Sequence, residues 1–143
     1  MIFCGFASTQ AQSQTVVQIN AGSRAPWGQN QNLLIDAKGR CTYYIKEVNG
    51  RIKDSSVFNI STKQLDSLFT KAMQVGFYSL NKKYDGGYSD GAGIFIAIRH
   101  LNQKNSVSLL NTDIPQVSEL VALLNRFLLP RKIRIYYGQS SPK

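Results

Sequence analysis

Strand-like and helix-like spacings of hydrophobic residues divide the chain into short blocks. Residues 33–37 form a short apolar run, and Lys38-Gly39 follows as a tight turn. Residues 41–48 are rich in Thr, Tyr, Ile and Val, with Tyr43 and Ile45 on one face and Tyr44 and Lys46 on the other. Asn49-Gly50 predicts a hairpin with a type I′ turn, and residues 51–60 return as a third strand with a break near 54–56. Ser61 opens a helix: Ser61 and Gln64 have capping-box spacing, Ile60 and Leu65 stand at the staple positions, and Gly76 ends the helix as a C′ residue. Leu65, Leu68, Phe69 and Ala72 recur at helical spacing as its buried stripe.

The same order then repeats. Residues 93–101 alternate with Ile94, Ile96 and Ile98 on one face. Residues 102–105 are read as a turn, and residues 106–111 as the return strand with Val107 and Leu109 inward. A second helix begins at Asp113 with Pro115 in its first turn, buries Val117, Leu120, Val121, Leu124, Phe127 and Leu128, and stops at Pro130. Residues 132–137 alternate as a last strand. The expectation is an α+β domain: an antiparallel sheet of five to six strands with both helices on one face. Its bounds are 32–138, after a signal-peptide remnant (1–11) and a polar linker (12–31), with a disordered tail at 139–143. Within the linker, residues 15–19 have the composition to pair as a strand, and Trp27 is placed as a plug for the open end of the core.

Length and charge sharpen this picture. A chain of 143 residues has room for one domain, and no apolar run reaches the length of a membrane span. Seventeen Lys and Arg against eight Asp and Glu give a formal charge of +9, scattered and not blocked, which favours anionic surroundings. The apolar start MIFCGFA and the small residues of Thr9-Gln10-Ala11 suggest export, so Cys4 leaves with the signal or carries a lipid. Cys41 then has no partner for a disulfide.

The loop between the first helix and the 93–101 strand, GFYSLNKKYDGGYSDGAG, holds the motifs that tempt a chemical reading. Gly87-Tyr88-Ser89-Asp90-Gly91 matches G-x-S-x-G, but a nucleophile elbow needs a strand before it and a helix after, and here a strand follows. Counted from Asp85, position 3 of a calcium loop is Gly87 and position 6 is Asp90, so the EF-hand register fails. One His and one mature-chain Cys are too few for zinc, and no Gly-rich phosphate loop occurs. Cys41 with His100 is the remaining catalytic pair, and both lie in strand patterns. No cofactor and no metal is therefore expected.

Binding residues are easier to nominate. Tyr84, Tyr88 and Asp90 sit among glycines, where large amphipathic rings serve either a partner or the edge of the core. Arg131, Lys132 and Arg134 with Tyr136 combine charge and aromatic rings near the C-terminus, which suits a polyanion or simply protects a sheet edge.

Residues 65–129 resemble a family of small exported bacterial domains of unknown function. The resemblance rests on GFYSL after the first helix, Tyr84 with Asp90-Gly91, the IFIAI and NSVSLLN strands, and Pro115. The order of elements is also similar to emfourin, an inhibitor of thermolysin-like metalloproteases. Neither resemblance implies catalytic residues. The reading is an exported, non-enzymatic binding module for a protein or an anionic envelope polymer, since export argues against nucleic acid. The alternatives are a protease inhibitor using loop 84–91, and a small hydrolase using Ser89 or Cys41.

Overall fold

A computed structural model describes residues 14–23, 30–47, 49–87 and 92–136. It contains strands β1 (Thr15–Ser23), β2 (Asn30–Asp36), β3 (Arg40–Lys46), β4 (Ile52–Asn59), β5 (Lys83–Asp85), β6 (Ala92–His100) and β7 (Gln103–Leu110). Helix α1 spans Thr62–Gln74 and helix α2 spans Pro115–Leu128. The strands form one seven-stranded sheet in the order β4-β3-β2-β1-β6-β7-β5. All neighbours are antiparallel except β5 and β7, so the sheet is mixed, larger than expected, and the class is α+β.

The largest departure from the sequence reading is β1. Residues 15–23, placed in the linker apart from a candidate strand at 15–19, form the central strand, paired with β2 on one side and β6 on the other. Val17, Ile19 and Ala21 are buried, while Gln18 and Asn20 alternate with them on the other face. The amides lower the local hydropathy, so a strand with one wet face resembles a polar linker. The ordered domain therefore begins well before residue 32.

The two hairpins of the first half turn by the same device. The Gly39 N–H donates to the Asp36 carbonyl (3.0 Å), the Asp36 carboxylate accepts from the amides of Lys38 and Arg40, and Gly39 has φ +89°. A side chain at Gly39 would also strike the Ile60 carbonyl oxygen at 2.4 Å. In the second hairpin the Gly50 N–H donates to the Glu47 carbonyl (2.8 Å), and the positive φ falls on Gly50 but not on Asn49. The closing bond joins Gly50 to Glu47, so Asn49-Gly50 are not the two central residues of the type I′ turn read from the sequence. The third hairpin turns on Leu101-Asn102, tighter than the predicted 102–105 turn, and puts Leu101 at φ +59°. β4 is continuous through residues 54–56.

Both helices cover one face. The Ser61 hydroxyl accepts from the Gln64 N–H (3.0 Å) and the Gln64 side chain accepts from the Ser61 N–H (2.9 Å), a complete capping box. Gly76, left-handed at φ +76°, follows the C-cap Val75. α2 has Ile114 at its N-cap with no side-chain cap, and Pro115 takes N1, where its missing N–H costs no helical bond. Leu65, Leu68, Phe69 and Ala72 of α1 join Val117, Leu120, Val121, Leu124 and Leu128 of α2 and the inward strand residues in one core.

Two irregular segments are pinned by side-chain amides. Buried Asn105 on β7 donates from Nδ2 to the carbonyls of Phe77 and Leu80 (2.9 Å each), and its Oδ1 accepts from the Ser106 N–H and Lys82 Nζ. The second segment corrects the predicted last strand. Lys132 takes φ +61° after the turn at Leu129–Arg131, and residues 133–136 join no sheet. The Asn125 amide instead holds the N–H and C=O of Ile135 (2.8 and 3.0 Å), and the Gln31 amide holds the Arg134 C=O and Tyr136 N–H (2.6 and 3.0 Å). Side-chain amides thereby satisfy the backbone groups a strand partner would take, and Ile135, 1% exposed, enters the core.

If β1 is central, Ile19→Ala should cost about 2–5 kcal/mol, as much as Leu124→Ala. Ser61→Ala should cost about 1 kcal/mol. Urea melts in which Ile19→Ala is no worse than Ser61→Ala would return residues 15–23 to a peripheral role.

Candidate functional site

The face of the sheet opposite the helices is built by the polar half of each alternating strand. One rung crosses it from β3 to β7 as Tyr44, Asn32, Asn20, Phe95 and Ser108. The next rung reads Thr42, Leu34, Gln18, Ala97 and Ser106. The amides form a directed chain: Gln18 donates to Asn20 (3.2 Å), Asn20 donates to Asn32, and Asn32 donates to the Asn30 carbonyl (3.2 Å). Asn32 is buried although no helix covers it, and Phe95 and Tyr44 stand on either side of the amide pair. This chain orders the amides, and an ordered amide presents a donor or an acceptor in a set direction.

At one end of this face lies a groove of about 960 Å³, where the start of β1 meets the end of β6 and the start of β7. Lys82, Arg99 and Lys104 line it together with Thr15, Gln18 and Ser106, and among the described residues no Asp or Glu does. Arg99 and Lys104 are directly opposed across the strands, a like-charge pair that costs stability without an anion between them. Arg99 is held by a bond from its guanidinium to the Thr15 carbonyl (2.9 Å), and Lys82 by one to Asn105 (2.8 Å). Among the described residues, the ion pair within 4 Å is Lys71 with Glu119 (3.6 Å), on the helical side. A second recess of about 450 Å³ lies further along the same strands, lined by Asn20, Phe95, Ser108 and Lys83.

The residues nominated from sequence fall elsewhere and apart. Tyr84 is on β5, one edge of the sheet, partly buried against the core, and its hydroxyl accepts from the Asn81 N–H (3.0 Å). Tyr88, Ser89 and Asp90 lie outside the described residues, as does Trp27. The Asp85 carboxylate accepts from the Gly87 N–H (2.8 Å), and the element after the loop is strand β6. Arg131 lies over the ring of Phe58, 5.1 Å from its centroid, on β4 at the other edge. Arg134 lies 5.8 Å from the centroid of its neighbour Tyr136, and Lys132 is exposed at the left-handed turn. The fold therefore does not bring Tyr84 together with the basic segment.

Cys41 and His100 are likewise separated. Cys41 is in β3 and His100 ends β6, with β2 and β1 between, about 14 Å at three strand spacings. Cys41 is fully buried, and burial pushes its thiol up to about 11. His100 stacks on Phe69 at 4.0 Å between ring centroids. No three His, Cys, Asp or Glu gather as a metal-binding group among the described residues.

The groove residues were readable as types but not as a set. Strict alternation opposite Ile94, Ile96 and Ile98 places Phe95, Ala97 and Arg99 outward, and the same rule applied to TVVQINAGS exposes Gln18 and Asn20. Reading β1 as linker hid half of the surface. No protein-family model matches the chain, and no curated protein is significantly similar to it.

Two outcomes check these placements. Asn125→Leu should strand both backbone groups of Ile135 and cost about 1–3 kcal/mol. Hydrogen exchange at residues 133–136 should rise while β1 stays protected. In a Cys4→Ser chain, Cys41 should resist thiol reagents at pH 8 until denaturant is added. Its folded pKa lies above the unfolded value of 9.0, so its stabilising share is complete below pH 9 and is lost as pH rises toward about 11. A melting temperature that does not fall between pH 9 and 11, compared with Cys41→Ala, would contradict the assignment.

Proposed function

We propose that this protein is an exported, non-enzymatic binding module whose open sheet face holds an anionic partner. The observation that carries this reading is the groove: three cations and several hydroxyl and amide groups, with no acid among the described residues of its lining. Opposed cations are stabilised when an anion bridges them, and the +9 charge of the chain raises the local concentration of such a partner. The fold supports a binding role in another way. β1 and β6 are paired on both sides, so the backbone that carries Gln18 and Arg99 is set without an added ligand.

The competing cationic surface is the exposed segment with Arg131, Lys132 and Arg134, and the two separate by substitution. Lys82→Gln, Arg99→Gln and Lys104→Gln together should abolish salt-sensitive retention on a heparin column. Arg131→Gln, Lys132→Gln and Arg134→Gln, with the same loss of charge, should reduce retention modestly. Binding to heparin should weaken steeply with added salt in the parent and weakly in the groove variant. Melting curves of both variants should match the parent, so that lost retention is not lost folding. Equal retention by the two variants would remove the groove from the proposal.

A further inference from the structure

We infer that the groove takes an acidic polysaccharide, a chain of sugar rings bearing carboxylates, laid along β1 and β6 on the open face. This rests on the binding reading above and names the ligand. The run from Arg99 to Gly93 on β6 is seven residues, about 20 Å over its six steps, enough for several sugar rings. Cations stand at the Arg99–Lys104 end and along the β5 flank as Lys82 and Lys83, while the floor between them is neutral.

That distribution discriminates among polyanions. A nucleic acid carries a phosphate at every residue, and the neutral floor of Gln18, Asn20, Ala97 and Ser106 would leave those charges uncompensated. An acidic peptide needs partners for its backbone N–H and C=O groups. β1 and β6 are each paired on both sides, so their own backbone groups are spent. A sugar acid needs what the floor supplies. Amide side chains donate and accept, Ser106 and Ser108 hydroxyls do both, and sparse carboxylates meet sparse cations. The Phe95 ring, in the same rung as Asn20 and Ser108, offers an apolar platform for the C–H face of a sugar ring.

Three probes against the full chain test this: a hyaluronan oligosaccharide, whose carboxylates fall on alternate sugars, poly-glutamate of matched charge, and a single-stranded oligonucleotide, each titrated at low salt by calorimetry. The hyaluronan oligosaccharide should bind at least tenfold more tightly than either other probe. Phe95→Leu, which keeps an apolar side chain on the strand but loses the flat ring, should weaken it about tenfold, and Lys104→Gln should do the same. Phe95→Leu should leave the weaker poly-glutamate binding unchanged. Poly-glutamate or the oligonucleotide binding as tightly as the sugar acid would overturn the ligand assignment while leaving an anion-binding module. Binding of none of the three would overturn both.

Discussion

The structure depends on β1 being paired along both of its edges. Without that strand the sheet separates into a β2-β3-β4 group and a β6-β7-β5 group, with no ladder joining them. Val17, Ile19 and Ala21 also carry the core across the seam, since Ile19 stands between Leu33 and Ile96. The two helices can then cover a continuous apolar surface and share one core with it. Burial at this central position uses hydrophobic area from both halves, so the strand's apolar residues stabilise more than their number suggests.

A second theme is the use of side-chain amides to hold irregular backbone. Asn105 fastens the turn after α1 to β7, and Asn125 with Gln31 fastens the segment after α2 across the inner end of the sheet. In each case a planar amide offers both a donor and an acceptor, so it substitutes for a neighbouring peptide group. Ile135 can therefore be buried without belonging to a strand. Gly86 adds a related constraint at the β5 end: its N–H donates to the Leu110 carbonyl at 2.7 Å, and a side chain there would meet the Asn111 carbonyl oxygen at 2.2 Å.

The covered and uncovered faces of the sheet then separate stability from recognition. The inner face is apolar and closed by both helices. The outer face carries hydrogen-bonded amides, two aromatic rings and a cationic end, arrayed on strands that the core already holds. Its like-charge pair costs folding stability, and it suits a surface whose charge is matched by something bound to it. The acid-poor lining of the larger groove is the clearest physical contrast between this face and the helical side, where Lys71 meets Glu119.

Much of this was legible in the sequence wherever a local rule decides the outcome. The capping box at Ser61, the left-handed Gly76, Pro115 at the start of α2, both helical stripes and the alternation of β6 follow from hydrogen bonding and side-chain direction within a few residues. The tertiary structure decided what depends on distant partners. TVVQINAGS becomes the central strand because β2 and β6 arrive on both sides of it, and its polar alternate positions gave no sign of that. The alternating residues after Lys132 fail to become a strand because Asn125 and Gln31, remote in sequence, take up their backbone groups first. The groove has the same origin: Gln18, Lys82, Arg99 and Lys104 come from four segments, and only strand order makes them neighbours.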